Sequence, residues 1–404
     1  MKVVGVVVEY NPFHYGHAYH IQKAKEITGA DIVIAAMSGN FLQRGEPALV
    51  SKWTRTEMAL RGGVDLVFEL PYSFAVQKAD TFANGAVSLL GFAGCDTICF
   101  GSESGRIEDF YRTYDFLITN QELYNEAIQK YVKAGYSYPK AMALAYQELD
   151  PTKNLINLSQ PNNILGYQYV RSAIEQKQNL KMVTIERKNA QYHDQEFTSS
   201  KIASATSIRK ALFTSPENAT SIQSYVPQHT YSLLKDYQHR FGSFHQWENY
   251  WDLLQFRLLQ SNPFELQKIY EIEEGMENRI LSLIKKYESF AQFMEALKTK
   301  RYTWTRLQRT LTHILTNTTK KEMEMNEERV AYLRLLGMTE NGRTYLNQRK
   351  KNFPVPLVTK RANYHLPQLE IDSRAAHIYA MGLPQDTRQL AVNQEYSQKP
   401  LYMT

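Results

Sequence analysis

Cysteine is nearly missing from this chain of 404 residues: Cys95 and Cys99 stand alone, both in one apolar stretch. Two thiols exclude a disulfide framework and a four-cysteine zinc site, and they fit a reducing cytoplasm. Long hydrophobic runs are missing as well. A membrane span takes roughly 18 or more consecutive apolar residues, and the first apolar stretch, Val3 to Val8, is only as long as a strand. Nothing at the start reads as a secretory leader. The expectation is a cytoplasmic protein with no membrane partner. No internal repeat or low-complexity linker stands out. A strong charge imbalance is also missing: 47 lysines and arginines against 41 acidic residues leave +6, too mild an average to define an anionic partner.

The distribution of that charge says more. Residues 1–105 hold 8 basic and 10 acidic residues, whereas residues 296–361 hold 15 basic and 5 acidic ones. Separate tasks for the two ends follow. Hydrophobic residues make up 43%, enough to bury a core in two or three domains.

The first hundred residues alternate apolar runs with helical patterns. Strands are expected at Val3–Glu9, Asp31–Ala36, Asp65–Leu70 and Asp96–Phe100, with crossover helices at Tyr19–Thr28, Lys52–Arg61 and Asp80–Phe92. Near-continuous apolar strands are buried on both faces, so the pattern predicts a doubly wound, parallel, Rossmann-like α/β sheet. Helical spacing continues from Ile107 to about Glu148. Leu180–Glu186 reads as a further strand, and Ser207–Leu212 as a helix after a polar loop. The α/β domain is expected over 1–214. Over 215–404 strand signals are scarce, and amphipathic segments at Trp247–Gln260, Glu265–Tyr287 and Arg306–Leu315 predict a mainly helical region. Pro354 and Pro356 interrupt it, and the tail reads as extended or mixed.

Chemistry concentrates where the first strand ends, at Glu9-Tyr10-Asn11-Pro12-Phe13-His14-Tyr15-Gly16-His17. A strand running into His-x-Gly-His at a helix start lies at the carboxyl edge of the sheet, where open α/β sheets bind ligands and helix N–H groups meet phosphates. Gly16 lets the backbone approach a nucleotide. The alternatives are two cap residues or a pair of metal ligands, the latter without a Cys or acidic cluster nearby to complete a site. A second segment, Ser204-Ala205-Thr206-Ser207-Ile208-Arg209, places hydroxyls at a helix start and an arginine in its first turn, suited to β- and γ-phosphates. Alone it is an ordinary Ser/Thr cap.

With both motifs in place the chain resembles the HIGH-type nucleotidylyltransferase superfamily. Val8 to His14, the segment Met37-Ser38-Gly39-Asn40-Phe41-Leu42-Gln43-Arg44-Gly45-Glu46-Pro47, Gly101-Ser102-Glu103, Pro161 to Tyr167 within Lys153 to Tyr169, and Lys300 to Arg306 resemble more closely the bacterial tRNA(Met) cytidine acetate ligase family, over nearly the whole chain. That resemblance implies a ligase with ATP, accompanied by Mg2+, and acetate as substrates: acetyl-adenylate and pyrophosphate form, and the acetyl group passes to the wobble cytidine of elongator tRNA(Met) as N4-acetylcytidine. His14 and His17 are then candidates for the α-phosphate, Thr206 and Arg209 for the leaving pyrophosphate.

The resemblance further implies ATP contacts from Val7, Val8, Glu9, Tyr10, Asn11, Pro12, Phe13, His14, Tyr15, Gly16, His17, Ala18, Tyr19 and His20, then from Gly101, Asn162 and Arg187. Each of the last three has a local rationale. Gly101 ends the fourth strand, where a side chain would obstruct adenine or ribose, unless it is a plain turn glycine. Asn162 precedes a helix and meets base or ribose, or caps that helix. Arg187 ends the late strand and points into the same crevice, or is a surface arginine.

Glu9, Ser38, Asn40, Gln43, Lys52 and Glu69 are second candidates for acetate, magnesium or the cytidine amine, with no role assigned to any one. In the basic block Lys298, Lys300, Arg301, Arg306 and Arg309, with Tyr302 and Trp304 interleaved, are candidates for gripping tRNA phosphates and stacking an unpaired base. Arg349-Lys350-Lys351 and Lys360-Arg361 extend the patch; the alternative is a solvated helix face. Two rival functions stand beside the ligase: a nucleotidylyltransferase of a small metabolite, and a tRNA-binding protein with a vestigial nucleotide site.

Overall fold

A computed structural model describes residues 1–150, 155–187, 204–214, 222–273, 275–324 and 328–404. Its strands are β1 (Val3–Val8), β2 (Ile32–Ser38), β3 (Leu66–Leu70), β4 (Thr97–Ser102), β5 (Lys181–Glu186), β6 (Leu333–Thr339), β7 (Leu357–Val358) and β8 (Leu401–Met403). All join one sheet in the order β5-β4-β1-β2-β3-β6-β7, with β8 on β6. β1 to β5 pair in parallel, Val3 opposite Ile32 and Val4 opposite Thr97. The chain builds β1, β2 and β3 in one direction and then places β4 and β5 on the other side of β1. The point where strand order reverses therefore lies between β1 and β4, the place where a doubly wound sheet opens a binding crevice at its carboxyl edge.

The five expected α/β strands are present within a residue or two. Period-two alternation divides their side chains between two cores. Val3, Ile32, Ile34, Ala36 and Phe68 pack with the helices Ala79–Phe92 and Pro161–Glu175 on one face. Val4, Val6, Val8, Val33, Ala35 and Met37 pack with Tyr15–Thr28, Lys52–Arg61, Ala205–Thr214 and Gln228–Phe241 on the other.

The second half differs from its strand-poor reading. β6 runs antiparallel beside β3, and β7 and β8 pair with β6, so three strands of the sheet come from beyond residue 215. The first five residues of β6 are buried, the charged Arg334 among them, and so short a run has no period that separates a central strand from a buried helix. A third core is helical, built from Trp251–Gln260, Met276–Leu283, Phe290–Leu297 and Trp304–Leu315, and it takes in Phe41 from the loop after β2 and Tyr72 from the short helix Tyr72–Ala75 after β3. The expected amphipathic segment Glu265–Tyr287 is two helices, Pro263–Leu266 and Met276–Leu283. Cys95 and Cys99 are free and buried, and burial pushes the Cys99 thiol up to about 12. No helix among the described residues is long and apolar enough to cross a membrane.

Candidate active site

The carboxyl ends of β1 and β2 are drawn together by one side chain. Arg55, fully buried, donates to the carbonyls of Glu9 (2.7 Å), Ser38 (3.0 Å) and Gly39 and, through Nε, to that of Val50 (3.2 Å). Glu9, Ser38 and Gly39 lie at the ends of β1 and β2 and Val50 just before the helix Lys52–Arg61, so these carbonyls need a donor beyond the ladder. From there the chain turns sharply through Tyr10, at φ 51°, and a cis Asn11-Pro12 bond. Asn11 Oδ1 accepts from the Leu49 N–H at 2.7 Å, and Phe13 is buried edge-on against Tyr10 at 4.8 Å between ring centres. A Cβ on Gly62 would lie 2.3 Å from the Phe13 ring, so the glycine ending the helix Lys52–Arg61 is what admits it.

His14 then caps the helix Tyr15–Thr28. Its Nδ1 accepts from the Gly16 N–H at 3.1 Å, while His17 Nδ1 accepts from the His14 N–H at 3.2 Å. The two rings stack 3.8 Å apart at 22°. Both Nδ1 atoms are acceptors, so each neutral ring carries its proton on Nε2. The rings are neutral at pH 7. Burial, and then the Arg187 charge, lowers His14 to about 4 and His20 to about 4; burial, the neighbouring His14 and Arg187 hold His17 well below its ordinary value. A Cβ on Gly16 would lie 2.9 Å from His14 Cε1, so this glycine makes room for the capping imidazole.

Arg209 arrives from the far side of the chain: Nη1 donates to the Asn11 carbonyl (3.0 Å) and Nη2 to Glu46 (3.1 Å). Its helix, Ala205–Thr214, is capped by Ser204, whose Oγ accepts from the Ser207 N–H at 3.1 Å; Thr206 is exposed. Across the switch point, Arg187 continues β5 and donates to Asn162 Oδ1 at 2.7 Å. A Cβ on Gly101 would come within 3.0 Å of Arg187 Cγ, so the space that this glycine leaves holds the arginine stem. Asn162 does not cap its helix, for Gln160 is the N-cap residue; its Nδ2 donates to Glu103 at 2.7 Å. Tyr10 OH, Asn11 Nδ2, His20 Nε2 and Ser38 Oγ are buried with no hydrogen-bond partner among the described residues. Each such group costs on the order of 1–3 kcal/mol; Tyr10 and Asn11 follow β1 and Ser38 ends β2, whereas His20 lies in the second turn of the helix Tyr15–Thr28.

The other candidates divide. Glu9 accepts from the Gln43 N–H at 2.8 Å, and burial raises its carboxyl. Gln43 itself reaches the Gln77 carbonyl at 2.7 Å, and Asn40 Oδ1 accepts from the Lys52 N–H at 3.0 Å. Lys52 and Glu69 are not open to a substrate: they form a buried cluster with Arg334 and Glu395, at 2.6 to 3.1 Å. Among the described residues no group of three or more His, Cys, Asp or Glu is placed to hold a metal ion.

In the basic block Lys298, Lys300, Arg301 and Trp304 are exposed. Tyr302 is not: it is 6% exposed, under Arg301 and Arg306 at 5.8 and 5.1 Å, so its ring belongs to the helical core and cannot stack a base. Arg309 is likewise 8% exposed and paired with Glu271 at 2.9 Å, and Arg306 pairs with Glu273 at 2.8 Å. Arg361 is buried on Glu370 and Ser373, whereas Arg349, Lys350, Lys351 and Lys360 are exposed. Sequence reasoning passed over Arg55, Glu46 and Glu103. Glu46 and Glu103 lie within the quoted motifs, whereas Arg55, inside the helix Lys52–Arg61, carried no signal of its own.

A parallel sheet whose switch point carries a His-x-Gly-His helix start defines a nucleotidyl transferase of the HIGH type, and the family model described as HIGH Nucleotidyl Transferase matches residues 1–395. Within that class, the chain belongs to the tRNA(Met) cytidine acetate ligase family. It is 48% identical to the tRNA(Met) cytidine acetate ligase of Bacillus licheniformis, with 99% of this chain and 97% of that one covered, and 48% identical to that of Anoxybacillus flavithermus, with 99% and 100% covered. The crystal structure of Thermotoga maritima TmcAL bound with alpha-thio ATP superimposes with a TM-score of 0.90 at 33% identity, covering both chains completely.

Proposed function

We propose that this chain performs its family's reaction as an ATP-dependent ligase: acetate attacks the α-phosphorus of ATP, the bond to the β-phosphate oxygen breaks, and pyrophosphate leaves. The N4 amine of the wobble cytidine of elongator tRNA(Met) then attacks the acetyl carbonyl, losing a proton as AMP departs. The observation that carries this reading is the stacked, neutral pair His14 and His17 at the β1/β4 switch point, each with its proton on Nε2. In-line phosphoryl chemistry needs positioning and donors toward developing charge more than it needs a covalent group from the protein. Two Nε2–H donors serve the α-phosphate. Arg209 neutralises the leaving pyrophosphate, exchanging Glu46 for it, and Arg187 and Asn162 lie across the crevice for the rest of the nucleotide. Thr206, exposed at its helix start, is a weaker candidate for the pyrophosphate than Arg209.

Magnesium would be held chiefly by the nucleotide's phosphates and by water, as this ion commonly is, and would supply charge neutralisation on those phosphates, with Glu9, which follows β1, and Glu46, paired with Arg209, as the carboxylates that would help hold it. Lys298, Lys300, Arg301 and Trp304 form the exposed corner on which tRNA docks. Acetate-dependent exchange of labelled pyrophosphate into ATP tests the first step, and mass analysis of nucleosides from treated tRNA tests the second. ATP binding without acetate-dependent exchange would return the chain to a transferase of another small molecule or to a vestigial site.

A further inference from the structure

The N-terminus of the helix Pro161–Glu175 is already filled. Glu103, the residue after β4, lays its carboxylate across it: Oε1 accepts from the Asn162 N–H at 3.3 Å and from Asn162 Nδ2 at 2.7 Å, and Oε2 from the Asn163 N–H at 2.8 Å. Asn163, 1% exposed, returns its Oδ1 to the N–H groups of Glu103 (3.1 Å) and Ser104 (3.2 Å). A carboxylate only accepts. The Asn162 amide must therefore turn its NH2 toward Glu103 and its oxygen away, and that oxygen takes Arg187 Nη1 at 2.7 Å. Reversed, the amide would present two donors to a guanidinium that has only donors.

We propose that Glu103 is a positioning residue for the nucleotide, holding the Arg187 guanidinium at the β1/β4 crevice through the one permitted orientation of the Asn162 amide. The proposal rests on the ATP reading of Arg187 given above. It also orients the ligand. The Glu103 carboxylate cancels the positive end of its helix, while the first turn of Tyr15–Thr28 holds no acidic residue; phosphates go to the latter and the nucleoside to the Asn162 side.

The test is a double-mutant cycle in the full chain. Glu103→Gln removes the acceptor-only face, and in pyrophosphate exchange it is expected to raise KM for ATP at least tenfold while kcat changes less than threefold. Arg187→Ala should do the same, and the double variant should be no worse than Arg187→Ala alone. Effects that multiply would overturn the proposal, as would a Glu103→Gln variant that loses only kcat and melting temperature. A readout without nucleotide separates this from the ATP assignment. NMR titration of the imidazoles should show His14 and His20 moving up in Glu103→Gln and in Arg187→Ala, with no further shift in the pair. If those shifts appear while Arg187→Ala leaves KM unchanged, the clamp stands and the ATP role of Arg187 falls. If Arg187→Ala moves the histidines and Glu103→Gln does not, the clamp falls. Should Glu103→Gln fold poorly, Asn162→Ala cuts the same link while leaving Glu103 on its backbone N–H groups, and it must reproduce the histidine shifts.

Discussion

Two imidazoles that each accept at Nδ1 from a backbone N–H are locked as Nε2–H donors, and burial keeps them uncharged. At this scale the proposed chemistry is one of fixed dipoles. Replacing His14 or His17 by alanine should lower acetate-dependent pyrophosphate exchange about a hundredfold, the usual loss for one oriented donor, with tRNA affinity within about twofold by filter binding. Joint loss of both would indicate a structural role. His14→Ala also removes the helix cap, which costs about 1 kcal/mol. With His14 lowered to about 4, the exchange rate should show no histidine inflection between pH 6 and 8. An inflection near 6.5 would mean that an imidazolium, and not a neutral ring, does the work.

At the scale of elements, the loop between β2 and the helix Lys52–Arg61 faces two ways. On one side Gln43 and Glu46 hold Glu9 and Arg209. On the other, the Gly45 carbonyl accepts from Trp247 Nε1 (3.0 Å) and Thr312 Oγ1 (2.8 Å), and a Cβ on Gly45, at φ 75°, would lie 2.4 Å from the Arg309 backbone. The basic helical region is thus built directly against the loop that holds Glu9 and Arg209. Its two kinds of arginine are expected to behave differently. Lys300→Ala with Arg301→Ala should weaken tRNA binding and flatten its log-log salt dependence by about 2, since each phosphate contact contributes close to one to the slope, and leave exchange unchanged. Arg309→Ala, which strands Glu271 in the interior, should instead cost about 3 kcal/mol in chemical denaturation, as a broken buried pair does. The same contrast shows how far sequence reaches. The alternation Lys-x-Lys-Arg-Tyr-x-Trp at 298–304 has the composition of an RNA grip, but composition does not say that Tyr302 faces inward while Trp304, two residues on, is exposed.

Over the whole molecule, Lys52, Glu69, Arg334 and Glu395 join the edges of β3 and β6 to the helix Gln385–Ser397 with two positive and two negative groups, all 3% exposed or less. Glu395→Ala leaves two cations to share Glu69 and should cost about 3–5 kcal/mol, read as a fall in the denaturation midpoint. Global stability should also depend on pH with a definite sign. His14 and His20 are lowered to about 4, His245 and His313 to about 3, mainly by burial. Between those values and 6.5 the unfolded chain binds protons that the folded one refuses, so stability falls as pH drops through that window. Asp372, pushed up to about 7 by burial and by the charge of Glu69, works the other way. His17 and His229 are lowered as well, and Glu9 and Glu271 are raised like Asp372; six histidines outweigh three carboxyls, and unfolding free energy should decline from pH 7 to pH 4.5.

The sequence by itself determined the five parallel strands, the helix starts at His14 and Ser204, the neutral sheet end and the basic block, because each is written in residues that are neighbours along the chain: period, cap and local charge act over a few positions. Tertiary structure decided what those residues face. Arg209 reaches Asn11 across 198 positions and Lys52 reaches Glu395 across 343, and β6 enters the sheet beside β3 with no signal of its own. Such pairings depend on which buried charges and orphaned carbonyls the packed core brings within hydrogen-bond distance, a condition that no local pattern encodes.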